Sequence, residues 1–214
     1  MLLVEKTVKD FVAQVASNEP APGGGSVSAL AASLGAALTS MVGELTVGRK
    51  KYEALSDDEK KIVDDSLAAT KPLIERLNEL VDEDTNAFND FMEALKMPKE
   101  TDEEKAARSD AMQEGIKKAI VVPLDAAKTA LEILKLSKPL AVYGNQNAIT
   151  DAGVGALLAC AGVEGAAFNV LINLGDVKDQ EYVESMKKEC KELVDEAKAL
   201  RDEVVKVVYD ALLN

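Results

Sequence analysis

The sequence predicts an all-α protein, a multihelical bundle with long antiparallel helices, some of them kinked at proline. Three observations carry this. No stretch of the 214 residues alternates apolar and polar positions as a half-buried strand does, whereas apolar residues recur at spacings of three and four. Two capping boxes, Ser56-Asp57-Asp58-Glu59 and Thr101-Asp102-Glu103-Glu104, each open a long helical segment. The last segment, 180–213, sets Val183, Met186, Cys190, Leu193, Ala197, Leu200, Val204, Val207 and Ala211 in unbroken 3-4 spacing, a seam for a bundle or a subunit interface. No repeat or linker divides the chain, so 1–214 is expected to form a single helical domain.

Residues 2–17 read as an amphipathic helix with Val4, Val8, Phe11, Val12 and Val15 on one side, ended by Asn18-Glu19-Pro20. In Pro20-Ala21-Pro22-Gly23-Gly24-Gly25-Ser26 the prolines hold the chain extended and the glycines allow a tight turn. A helix is expected to start just after it, with Ser26 as a natural cap. First-turn N–H groups beyond such a loop offer a site to an oxyanion or carboxylate, and a close-packed turn without ligand is an equally open reading. The spaced Gly-Lys-Ser/Thr of a phosphate loop is absent. Along the helix, Ala31, Gly35, Thr39 and Gly43 recur every four residues, so another backbone can lie against that small face. The uncharged run 27–43 nears the length of a membrane span, but its Ala, Ser, Gly and Thr gain little in lipid and 29% of the chain is charged, so no membrane partner is expected.

The segment from Ser56 reaches about Leu95, and Pro72 is expected to kink or split it. Met97-Pro98 then ends it. The segment from Thr101 is expected to be interrupted at Pro123 and to continue to about Leu136, leaving 138–147 as a loop. A helix from about Ala148 to Leu174 follows, with Gly153, Gly155, Gly162 and Gly165 inside it. Interior glycine costs about 1 kcal/mol each, so these positions need a close neighbour, either a helix or a ligand.

Composition limits the chemistry. A formal charge of −13 and a pI near 4.6 argue against nucleic acid as a general partner. There is no histidine, which removes the usual base, the Ser-His and Cys-His pairs and His-containing zinc sites. Cys160 and Cys190 lie among apolar residues and read as small core residues, so no metal site is expected. With no signal-peptide pattern and no disulfide framework, the expected location is cytoplasmic. Acid–base work falls to carboxylates, Lys, Tyr or water.

Three groups stand out. Arg49-Lys50-Lys51 is a basic triplet in an acidic chain, either a solvated helix end or an anion site. Asp151 falls in the first turn of its helix, preceded by Asn145 and Asn147, which can cap it or face a ligand. Asn169 and Asn173 lie on nearly the same face as Asp151, but roughly 27–33 Å further along at 1.5 Å per residue. One subunit cannot bring all four onto one small ring, which leaves different parts of a site, a dimer-related site or helix packing.

Pro20–Val27, the stretch Leu45–Tyr52, and Gly144-Asn145-Gln146-Asn147-Ala148-Ile149-Thr150-Asp151 with its continuation to Asn169–Leu174 resemble the formiminotetrahydrofolate cyclodeaminase / methenyltetrahydrofolate cyclohydrolase family. The resemblance runs over essentially the whole chain. It implies an enzyme acting on C–N bonds of a reduced folate, with the tetrahydrofolate derivative as substrate and no metal or redox cofactor. Both reactions pass through a tetrahedral centre between two folate nitrogens and need a proton shuttle. The resemblance implies substrate contacts at Gly23, Gly24, Gly25 and Ser26, a pteridine edge at Asn145 and Asn147, and further contacts at Asn169 and Asn173. Arg49, Lys50 and Lys51 would hold the glutamate or polyglutamate tail. The expected proton shuttle is Asp151, with Asp84, the acid before Ala87-Phe88, as the other candidate. Cyclodeaminase is the leading expectation, with any formiminotransferase a separate protein; cyclohydrolase is the alternative, and a non-catalytic folate-binding or dimerisation module the bland one. A homodimer or higher oligomer is expected from the 180–213 seam and the two small-faced helices.

Overall fold

Capping decides where the long helices begin. In the computed structural model, which describes residues 1–214, the α-helices in chain order are α1 (Val8–Val15), α2 (Gly24–Glu44), α3 (Lys50–Glu53), α4 (Asp57–Lys96), α5 (Asp102–Tyr143), α6 (Ile149–Asn173) and α7 (Gln180–Leu213). Short 3₁₀ turns occupy Leu3–Glu5, Gln146–Ala148 and Leu174–Asp176, and there is no strand. The N–H of Glu59 donates to Ser56 Oγ at 3.3 Å and Glu59 accepts from the Ser56 N–H at 2.9 Å. Thr101 and Glu104 do the same for α5 at 3.2 and 3.1 Å. Both expected capping boxes are therefore in place.

Pro123 and Pro139 behave differently from expectation, and Pro72 does not split its helix. α4 runs through Pro72, and α5 runs through both Pro123 and Pro139 to Tyr143, so neither is split and the expected 138–147 loop shrinks to Gly144 and the turn after it. An interior proline costs about 3 kcal/mol through a lost hydrogen bond and a ring clash. Burying one leucine contributes about 1.5–3 kcal/mol, and Ile133, Leu134, Leu140 and Ala141 around Pro139 are all fully or nearly fully buried. Packing outweighs the local penalty.

α2, α4, α5 and α6 form the central layers, and α7 lies against α5 and α6. The 180–213 seam is thus used inside the chain: Val183, Cys190, Ala197 and Val204 are buried on those two helices, while Ala211 is exposed. The N-terminal segment is not one helix. Thr7 caps a short α1 of which Phe11 alone is buried, and Val8 and Val12 face outward.

The small faces of α2 and α6 meet. A Cβ on Gly35 would lie 2.7 Å from the Gly155 carbonyl oxygen and 2.9 Å from the Ala159 nitrogen, so the two backbones touch there. The interior glycines of α6 are explained by helix contact: Gly155 faces Gly35, Gly162 faces Ala32 and Gly153 faces Val208. Both helices are long and apolar enough to cross a membrane by length and composition, yet about half of each is buried in the bundle. Their outer stripes, Val27, Leu34 and Met41 on α2 with Val154, Leu157, Phe168 and Ile172 on α6, are exposed.

Gly35→Leu should lower stability by about 3 kcal/mol or more, because the side chain meets backbone that cannot rotate away. In a chain of this size that is a fall in melting temperature of roughly 6–12 °C. Gly175→Ala, with nothing within 4 Å of the added carbon, is the control and should melt close to wild type. A Gly35→Leu protein that melts with the control would contradict the close α2–α6 approach.

Candidate active site

Three consecutive acids on α4 have three different fates. Asp82 accepts the Leu3 N–H at 2.5 Å and ties down the N-terminus. Glu83 accepts from Arg76 at 2.6 and 3.0 Å, and Arg76 also reaches Asp125 of α5 at 2.7 Å. Asp84, a further 100° around the helix, points the other way, at the beginning of α2. The Arg76 network fixes the rotation of α4 that makes this possible.

The start of α2 is built to receive that carboxylate. Its cap is Gly23 rather than the expected Ser26; Ser26 is the third helical residue and is completely buried. The Ser26 N–H donates to Asp84 Oδ2 at 2.8 Å. The Ser26 hydroxyl lies 2.8 Å from the Val81 carbonyl oxygen and 3.1 Å from the same Asp84 oxygen. A Cβ on Gly25 would overlap the Asp84 carboxyl group, so only glycine fits. The anion that a helix N-terminus attracts is here the chain's own side chain. Burial pushes the Asp84 carboxyl above the ordinary aspartate value, against the two hydrogen bonds from Ser26, which pull it down.

A cavity of about 300 Å³ opens beside it. Pro20, Gly23, Gly24 and Gly25 form one wall and Asp84, Phe88 and Phe91 of α4 another. Asn169, Ile172 and Asn173 of α6 complete it with Ile116 and Ala119 of α5 and Asp176 of the following turn. The amide nitrogen of Asn169 donates to the Gly165 carbonyl at 2.8 Å, and that of Asn173 to the Ala119 and Asn169 carbonyls at 2.8 Å each. These bonds hold both side chains and leave their carbonyl oxygens as acceptors. Two of the four phenylalanines of the chain give the cavity an apolar flank.

Gly23, Gly24, Gly25, Ser26, Asp84, Asn169 and Asn173 are therefore brought together. The other expected residues are not with them. Arg49, Lys50, Lys51, Asn145 and Asn147 line a shallow cavity with Thr46, beyond the opposite end of α2, roughly 30 Å away along its 21 residues. There the Asn145 N–H donates to Thr46 Oγ1 at 2.9 Å, its amide to the Leu45 carbonyl at 3.1 Å, and its Oδ1 accepts the Asn147 N–H at 3.0 Å. Lys51 reaches the Gly144 carbonyl at 3.3 Å. Asp151 sits in the first turn of α6 at this same far end, about 27 Å along the helix from Asn169. No three Asp, Glu or Cys side chains come together in a group able to hold a metal ion.

Phe91, Ile116, Ala119, Ile172 and Asp176 were missed by sequence reasoning. Phe91 alone carried a signal, lying one turn beyond the Ala87-Phe88 pair.

Comparison with known proteins bears on the family and the fold. Residues 7–192 match the family described as formiminotransferase-cyclodeaminase. A methenyltetrahydrofolate cyclohydrolase of Methylorubrum extorquens is 39% identical over 203 residues, covering 95% of this chain and 96% of that protein. The formimidoyltransferase-cyclodeaminase of Mus musculus is 40% identical over 196 residues, which is 92% of this chain and 36% of the mouse protein, so the chain spans about a third of its length. The crystal structure of formiminotetrahydrofolate cyclodeaminase from Thermotoga maritima superposes with a TM-score of 0.84 at 26% identity, covering 98% of this chain and 99% of the other. On fold and sequence together, the chain belongs to the formiminotransferase-cyclodeaminase family.

Proposed function

We propose that the chain is a formimidoyltetrahydrofolate cyclodeaminase, converting 5-formimidoyltetrahydrofolate to 5,10-methenyltetrahydrofolate and ammonia in the cytoplasm without a resident metal or cofactor. The observation that carries the reading is Asp84, a carboxyl group raised by burial at the mouth of a cavity with aromatic and amide walls. N10 attacks the formimidoyl carbon, and its proton passes to the former imino nitrogen. Protonated Asp84 gives that nitrogen a second proton, and ammonia leaves. The C–N bond breaks with its electron pair, so the methenyl bridge is left cationic opposite the Asp84 carboxylate. The elevated pKa serves the first half of the step and the negative charge the second. The free Asn169 and Asn173 carbonyl oxygens match the N–H donors of a reduced pterin, and Phe88 and Phe91 can flank its ring.

A second reading, 5,10-methenyltetrahydrofolate cyclohydrolase, is favoured by the Methylorubrum extorquens relative, which this chain matches end to end. Water would add to the methenyl carbon while the Asp84 carboxylate takes its proton, and a ring C–N bond would then open as its nitrogen is protonated. The two readings differ in the required form of Asp84. Cyclodeamination needs the acid, so its rate should fall as pH rises through the elevated pKa; cyclohydrolysis starts from the carboxylate, so its rate should rise across the same interval. Absorbance of methenyltetrahydrofolate, gained from the formimidoyl substrate or lost from the methenyl substrate across that interval, separates them.

Asp84→Asn should lower turnover by about 10²-fold or more with little change in melting temperature, because the amide still accepts from Ser26. Asp151→Asn should stay near the wild-type rate. The reverse ranking would move the proton shuttle to the far end of α6.

We also propose a homodimer, now through the exposed outer stripes of α2 and α6, since the α7 seam is occupied within the chain. Light scattering should give twice the chain mass at micromolar concentration, and Leu34→Glu with Leu157→Glu should give the single-chain mass. A wild-type monomer under those conditions would contradict this, and binding to lipid vesicles instead would assign the face to a membrane.

A further inference from the structure

Most lysines and arginines here are paired with acids, and six of the nine that are not gather in two places. Arg49, Lys50 and Lys51 are one group; Lys99, Arg108 and Lys178 are the other, and none of these six makes an ion pair. The second group lines a cavity of about 460 Å³ with Lys105, Ser109 and Gln113, and no carboxylate lines it. Its one internal charge partner is Asp102, outside the lining, which Lys105 meets at 3.0 Å. Arg108 is held in place by the Leu95 carbonyl, which accepts from its Nε and Nη2 at 3.4 and 3.3 Å.

This cavity adjoins the Asp84 cavity. On α5, Met112 lines the basic cavity and Ile116, one turn on, lines the other. On α4, Leu95 that anchors Arg108 is one turn beyond Phe91. After α6, Asp176 belongs to the Asp84 cavity and Lys178, two residues later, to the basic one. Arg108 stands about 12 Å along α5 from Ile116. Lys99 precedes α5 and Lys105 closes its first turn, where the helix dipole disfavours cations and favours an anion. A chain of charge −13 therefore keeps a carboxylate-free, cationic trough one spacer length from its reacting centre.

We infer that this trough binds the carboxylate end of the folate substrate, the glutamyl group or groups that the p-aminobenzoyl spacer carries away from the ring. The inference rests on the folate reading above. It assigns the tail to Lys99, Arg108 and Lys178, in the same subunit as Asp84, and not to Arg49-Lys50-Lys51.

The test compares monoglutamyl and pentaglutamyl substrate on wild type, on a Lys99→Gln/Arg108→Gln/Lys178→Gln variant and on an Arg49→Gln/Lys50→Gln/Lys51→Gln variant. Wild type should have the lower KM for the pentaglutamyl form. The trough variant should raise that KM about tenfold, the scale of three exposed charge pairs, with a smaller rise for the monoglutamyl form and little change in kcat. Added salt should shrink the difference. The 49–51 variant should leave the pentaglutamyl to monoglutamyl KM ratio at its wild-type value. A trough variant with the wild-type ratio overturns the inference, and a ratio shifted only by the 49–51 variant transfers the tail to that cluster. Thermal shift with each folate keeps the reading separable: stabilisation of wild type by both folates with no loss in the trough variant overturns this inference alone, whereas no stabilisation by either overturns the folate reading and this inference with it.

Discussion

One carboxyl group held against the first turn of a helix organises the molecule. Asp84 cannot reach that position unless α4 comes within contact of the α2 backbone, and that is possible because residue 25 has no side chain. Two opposed forces then set its ionisation. Loss of water favours the neutral acid, while the Ser26 N–H and hydroxyl favour the anion, and burial wins. A fully exposed aspartate would be ionised at neutral pH and useless as an acid; one fully satisfied by donors would be more so.

The rest of the bundle holds this balance in place. Backbone contact between Gly35 and Gly155 sets α6 close enough that Asn169 stands 3.3 Å from where a Gly24 side chain would begin. Arg76, bonded to Glu83 of its own helix and Asp125 of α5, keeps α4 from rotating. Most other ion pairs lie on the surface, where each contributes at most about 1 kcal/mol, so they matter less for stability than for cancelling stray positive charge. What they leave uncancelled becomes informative.

Much of this was legible in the sequence. The helical class, both capping boxes and the small faces of α2 and α6 follow from local patterns that packing reinforces. Pro123 and Pro139 misled because a local rule was overridden by tertiary burial around them, which no window of sequence displays. The site was half legible. Gly23-Gly24-Gly25-Ser26 announces an anion at a helix start, but the sequence does not say that Asp84, some sixty positions away, supplies it. Asp151 and the 145–147 asparagines drew attention through a distinctive loop, and that loop lies at the opposite end of α2. Two motifs of equal prominence turned out to occupy different ends of the same pair of helices, a fact of topology and not of composition.

The proposed chemistry requires Asp84 to carry a proton in a range where ordinary aspartates do not. Carbon-13 NMR of the side-chain carboxyl groups, with the Asp84 signal identified by its absence from Asp84→Asn, measures this directly. A single transition above the ordinary aspartate value of about 3.9 is expected. A transition at or below that value would show the Ser26 hydrogen bonds dominating burial, and would contradict Asp84 as the proton donor.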